Sequence, residues 1–308
     1  MGLPSRVRWI FDRVVGEARG DGGGTSTCGL AVRGGRRVGT VTAVKPRSAT
    51  RRILAGVALV VLSASACTTH AGSAAQIGDD TIKTSTLRDV VDRGLAVSRS
   101  AAAANPSAAQ SIAPIERTDL QRRALTTLVQ LDLLEREARG LGITVTDQDL
   151  DAFYQTYGVL EFGGVADFEQ LAELGGIARK DLRLFLRSNA LESAIADRLA
   201  PAPDTDAAKE QARGRYDKIV TDFRAKGKQI SLSFDQAQGY LIRSLAADQR
   251  NQTVYTKLRE TASRESVSIN PRFGTWDSAQ LAVAAAGVSI ATTPAPEPPL
   301  GPGLATTQ

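Results

Sequence analysis

The chain has 308 residues and a mass of 32.6 kDa, and 42% hydrophobic residues provide enough apolar mass for one large or two modest folded domains. Its net charge of +5 is unevenly spread: residues 1–67 carry 11 Lys and Arg against 3 Asp and Glu, and residues 68–308 carry 27 against 30. A slightly acidic body lacks the basic face that phosphate neutralisation requires, which excludes a nucleic-acid binder. Only Cys28, Cys67 and His70 could supply sulfur or imidazole, so zinc sites, Cys/His nucleophile pairs and a disulfide framework in the body are excluded. No cofactor or metal is expected.

Residues 1–43 hold Gly22-Gly23-Gly24 and Gly34-Gly35 but no second apolar run. Met1 is the only methionine. This stretch therefore reads as an upstream or disordered extension, with the true start at a valine such as Val38, Val41 or Val44, or as a genuine cytoplasmic extension. Residues 44–66 have the layout of a secretory signal: Lys45, Arg47, Arg51 and Arg52, then apolar Ile53 to Leu62, then small residues. The apolar run falls short of the roughly 20 residues a membrane-spanning helix needs. Ala64-Ser65-Ala66 directly before Cys67 resembles a bacterial lipobox, although Leu is usual where Ala64 stands. The expectation is a lipid on the Cys67 thiol, palmitate included, a tether over residues 67–74, and a body held at the extracytoplasmic face of the cell membrane.

Within the body, Ala75 to Ile82 reads as strand, turn and strand around Gly78-Asp79-Asp80, followed by a helix over Leu87–Leu95. The low-complexity row Ser98 to Pro114, interrupted by Pro106, reads as a loose loop or marginal helix. From Ile115 to Ala138, Leu120, Ala124, Leu128, Leu131, Leu134 and Ala138 step by three and four beside Leu125, Val129 and Leu133, which predicts a core helix. Thr146-x-x-Asp149 is a capping box opening a helix with Leu150, Phe153, Tyr154 and Tyr157 on one face. Glycine pairs at 163–164 and 175–176 bracket a short helix around Phe168, and Ile177 to Leu199 is a further amphipathic helix. After Pro201-Ala202-Pro203 comes a helix over Asp206–Lys226 with the stripe Ala212, Tyr216, Ile219, Val220 and Phe223. Ser233-x-x-Gln236 opens one long helix to about Ser263, which closes in Val267-Ser268-Ile269-Asn270-Pro271, a short alternating strand. Residues 278–308, rich in proline, read as a disordered tail.

Three stretches together resemble the chaperone module of the SurA and PrsA-type extracytoplasmic foldases. They are AAQIGDDTIKTSTLRDVV, RRALTTLVQLDLLEREARGLGITVTDQDLDAFY, and SFDQAQGYLIRSLAADQRNQTVYTKLRETASRESVSINPRFGTWD. The ending Asn-Pro-Arg-Phe-Gly-x-Trp at Trp276 looks like lipoproteins of this group in actinobacteria, and 30 Arg against 8 Lys fits a GC-rich bacterial genome. The resemblance implies a mainly α fold over residues 75–277: a SurA N-domain-like helical bundle with a small β pairing between the N-terminal strand and the strand after the C-terminal helix. Members that isomerise proline carry a parvulin domain before the C-terminal helix. Here the interval Pro201 to Ser233 is about 30 residues, fewer than the roughly 50 a domain needs, and isomerase activity is not carried over.

The resemblance then implies a membrane-anchored holdase for exported unfolded polypeptides, without enzymatic activity. Phe153, Tyr154, Tyr157 and Phe162 are the candidate peptide-binding residues, weighed against ordinary core packing. An adaptor or structural envelope lipoprotein with one specific partner, and an accessory to a peptidyl-prolyl isomerase, are the alternatives. A carboxylate-only glycosidase would use Asp147, Asp149, Asp151 and Glu161, acidic residues that a helix N-terminus also favours.

Overall fold

A computed structural model describes residues 72–110 and 113–286. The signal segment, Cys67, His70 and the row beyond residue 286 lie outside the described residues. Nine helices and five short strands occupy the described part.

Two strands open it, β1 (Ser73–Ile77) and β2 (Asp80–Lys83), paired antiparallel around Gly78 with a φ of 55°. The folded body therefore begins two residues before the boundary read from the sequence. Strand β3 (Val267–Ile269) pairs antiparallel with the other edge of β1, Ala75 opposite Ile269 and Ile77 opposite Val267, giving the order β2-β1-β3. Ala74, Ala75 and Ile77 are fully buried, so the strand that joins β2 to β3 is itself core.

Helix α1 (Thr84–Ala104) continues through the low-complexity row, where a loop or marginal helix was expected. The alanine-rich end suits a helix, and Ser98 Oγ donates to the carbonyl of Leu174 at 3.0 Å. Asn105 stops it and caps the short α2 (Pro106–Ala109), with Pro106 in the first turn. Gly94 on α1 lies so close to the chain at Gly176 that a Cβ there would stand 2.2 Å from the Gly176 carbonyl oxygen.

Helix α3 (Arg117–Gly140) is the central element and buries Leu125, Val129 and Leu133 completely. Each such side chain stabilises the fold by about 1.5–3 kcal/mol relative to exposure. Around it stand α1, α6 (Arg179–Leu199) and α9 (Ala247–Glu265); α4 (Asp147–Phe162) and α5 (Val165–Leu174) pack on each other and on α6, and α7 (Asp206–Arg224) and α8 (Phe234–Leu245) form a separate hairpin. The expected capping boxes at Thr146/Asp149 and Ser233/Gln236 both form. Hydrogen bonds from the Thr146 side chain and backbone hold the Asp149 carboxyl below its ordinary pKa.

Two departures from the sequence reading concern the C-terminal third. The long helix from Ser233 breaks at Ala246 into α8 and α9. Past the break Arg250, 1% exposed, reaches the end of α6, donating to the carbonyl of Ala200 at 2.5 Å and pairing with Asp197 at 2.5 Å. A straight helix would carry this guanidinium along a different line.

The ordered body also extends past the boundary at residue 277. Strands β4 (Thr275–Asp277) and β5 (Ala282–Ala284) pair antiparallel, and Leu281 and Val283 are buried. The polar face of α3 holds them: Gln130 Nε2 donates to the carbonyl of Leu281 at 2.9 Å, and Thr126 Oγ1 accepts from the Val283 N–H at 2.8 Å. Residues 278–286 are thus part of the body.

One side chain ties the first hairpin to the end of α9. Arg136 on α3 donates to Asp132, Asp80, Glu265 and the carbonyl of Ile77, bridging α3, the β1–β2 hairpin and the end of α9. These acceptors, Asp132 first, raise its pKa above the ordinary value.

Candidate functional site

The four aromatic candidates meet in one place, but they point inward. Phe153 and Tyr157, one turn apart on α4, stack at 5.8 Å between centroids. Tyr157 meets Phe168 of α5 edge-on at 5.3 Å, and Phe162 packs on Phe168 at 4.9 Å. Tyr157 is only 4% exposed, so it is a core residue with no surface to offer a peptide. Phe153, Tyr154 and Phe162 are half-buried against the same core. The Tyr154 hydroxyl donates to Glu169 at 2.6 Å, and burial together with that carboxylate pushes the phenol above the ordinary tyrosine range.

This aromatic seam is where the α7–α8 hairpin joins the bundle. Tyr240 of α8 lies edge-on to Phe153 at 6.3 Å, and its hydroxyl donates to Glu161 at 2.8 Å. Gly163 ends α4 in the left-handed region, φ 82°, and the ring of Phe223 from α7 occupies the space a Cβ would need, 2.6 Å away. Lys228 pairs with Asp167 of α5 at 2.6 Å.

The hairpin is a thinly covered arm. Across α7 only Ala208 and Ala212 are buried, and across α8 only Ala237 and Leu241. Ala212, Ala237, Leu241 and Leu160 make a minor core of their own, with Tyr216, Ile219, Ile230, Leu232, Phe234 and Ile242 partly buried around it. Thr205 caps α7, and the Tyr216 hydroxyl secures the connecting loop by donating to the carbonyl of Leu232 at 2.6 Å. A two-helix hairpin has one internal face, so it cannot cover an apolar stripe this wide. The α7 stripe that periodicity revealed thus lies partly buried against the small core of the arm itself.

The acidic residues considered for carboxylate chemistry are dispersed. Asp147 and Asp151 both pair with Arg183, Asp149 closes its helix cap, and Glu161 accepts from Tyr240. Among the described residues no group of three or more His, Cys, Asp or Glu is placed to hold a metal, and no helix is long and apolar enough to cross a membrane.

Neither a curated protein nor a solved structure matches the chain. A family model does: residues 48–197 match the SurA-like N-terminal domain, a stretch that ends within α6 and leaves the arm and the returning helix beyond it. Residues 48–197 belong to the SurA-like N-terminal-domain family, and the mainly helical body with its small strand pairings agrees with that match.

Proposed function

We propose that the protein is a holdase-type chaperone that binds unfolded, newly exported polypeptides at the outer face of the cytoplasmic membrane, anchored by lipid on Cys67. The chaperone-type role follows from the family, and the partly buried apolar row of the arm, closed over only a small core, supports the binding reading. An unfolded segment needs aliphatic and aromatic surface at modest affinity, with no chemistry done to it. The row from Tyr216 to Ile242 has that character, and the seam of Phe153, Tyr154 and Phe162 serves as its base. The interval between α6 and α8 is filled by the single helix α7 with its flanking loops, and isomerase activity forms no part of this reading.

The test is dilution of a chemically denatured model protein into buffer with and without the purified full chain, followed by light scattering. Stoichiometric suppression of aggregation is the expected result. Absence of suppression by a chain shown to be helical by circular dichroism overturns the holdase reading in favour of one dedicated envelope partner. For the anchor, the wild type should partition into detergent and the Cys67→Ser variant into the aqueous phase.

A further inference from the structure

We propose that the body docks on anionic lipid headgroups through the end of its sheet where β1 begins, an inference that rests on the anchored reading above. Only residues 68–71 lie between Cys67 and the first described residue, Gly72. Those chain steps reach at most about 18 Å, so a lipid on Cys67 keeps the start of β1 close to the bilayer. That start is a fixed point. The Thr84 N–H donates to the Gly72 carbonyl at 2.8 Å, Asn270 Nδ2 donates to the Ser73 carbonyl at 2.8 Å, and the Asn270 N–H donates to the carbonyl of Ala74 at 3.0 Å.

Each side of this point carries a cation. Lys83 stands opposite Ser73 in the β1–β2 register, and Arg272 follows Asn270 on the β3 side, its N–H donating to Asn270 Oδ1 at 3.1 Å. Both are exposed, and neither forms an ion pair among the described residues. The sheet face that bears Lys83 is polar and has no acid: Gln76, Thr81 and Ser268 are exposed beside it, while Ala75, Ile77 and Ile269 are buried on the other face. Residues 72–76, 81–84 and 267–276 together hold these two cations and no Asp or Glu.

The acids around this surface are engaged elsewhere. At the opposite end of the same strands Asp80, Asp132 and Glu265 are bound by Arg136, and Asp79 lies in the turn. Further along α1, Arg88 and Arg93 balance Asp89 and Asp92; Asp92 pairs with Arg117 at 2.6 Å, and Asp89 shares the field of Arg93 with Asp181. Beyond Trp276, Asp277 accepts from the N–H groups of Ala279 and Gln280. The sheet is therefore positive at the end the anchor holds and acidic at its hairpin. In the field of an anionic bilayer this arrangement turns the anchored end toward the headgroups and the hairpin away. Two cations suffice for this, because the anchor has already brought the body to the surface and only its orientation is left to select.

The experiment reconstitutes the lipidated full chain into vesicles of phosphatidylcholine, alone or mixed with phosphatidylglycerol, and reads amide hydrogen exchange. With phosphatidylglycerol present, exchange at residues 81–84 and 270–275 should slow about 3–10-fold while residues 206–245 are unchanged, and the difference should vanish at about 0.5 M salt. The double variant Lys83→Glu with Arg272→Glu changes two exposed residues and should lose the slowing, while keeping its helical circular dichroism spectrum and its flotation with the vesicles. Equal exchange in the two kinds of vesicle, or slowing that survives in the double variant, overturns the docking and leaves the anchor standing. Failure of the wild-type chain to float with either kind of vesicle overturns the anchored reading, and the docking with it.

Discussion

The bundle and the arm are built from helices of similar length yet differ in what those helices bury. Helix α3 encloses eleven buried residues among helices α1, α6 and α9 and strands β1 and β5, whereas α7 buries two alanines. The bundle is also laced by arginines that cross between elements. Arg136 joins the β1–β2 hairpin to the end of α9, Arg93 grips Asp181 with two hydrogen bonds at 2.7 and 2.9 Å, and Arg250 closes α9 onto α6. The arm is held at one end by Phe223, Lys228 and Tyr240. Stability concentrates where apolar area is enclosed, and apolar residues stay only partly buried where enclosure is incomplete.

That difference can be broken first by cavities. Leu125→Ala, at a fully buried position in α3, should cost about 2–5 kcal/mol and lower the urea midpoint of the main unfolding transition. Leu241→Ala, almost as buried but in the arm, should raise amide hydrogen exchange over residues 206–245 while shifting that midpoint much less. Equal midpoint shifts would make the two regions one cooperative unit.

Arg250→Ala removes the contacts of a buried side chain to Ala200 and Asp197 and should cost about 2–3 kcal/mol, read as a lower thermal midpoint with faster exchange in α9. Gly163→Ala forces a left-handed residue and a clash with Phe223, a cost of about 1–3 kcal/mol confined to the joint. Limited trypsin digestion should then cleave the arm sooner while the bundle persists.

The smallest effect concerns pH. Because the folded state raises the Tyr154 pKa, it holds that proton more tightly than the unfolded chain, so the contribution is fully present below about pH 10 and is lost as pH rises further. Tyr154→Phe gives up the Glu169 hydrogen bond, about 1 kcal/mol at neutral pH, and should lose less stability than the wild type between pH 9 and about 11. Parallel thermal midpoints across that range would remove Tyr154 as the cause.

Local chemistry and periodicity determined much of this protein from the sequence. The capping boxes at Thr146 and Ser233, the glycine breaks at 163 and 175–176, the leucine ladder of α3 and the strand opening at Gly78 are each set by residues within one or two turns of one another. So was the family, since order and spacing of such segments survive as a pattern. What only the tertiary structure decided rests on distant partners. The break at Ala246 accompanies Arg250 reaching Ala200, and β5 is ordered by Thr126 and Gln130, more than 150 residues away in the chain. The aromatic candidates show why the site was harder to read than the fold. Phe153, Tyr154, Tyr157 and Phe162 share a helical pattern that suits a binding face or a core equally well. Only the arrival of Phe168 and Tyr240 turned them inward, while the stripe of α7 closes on the arm's own small core and stays partly buried there.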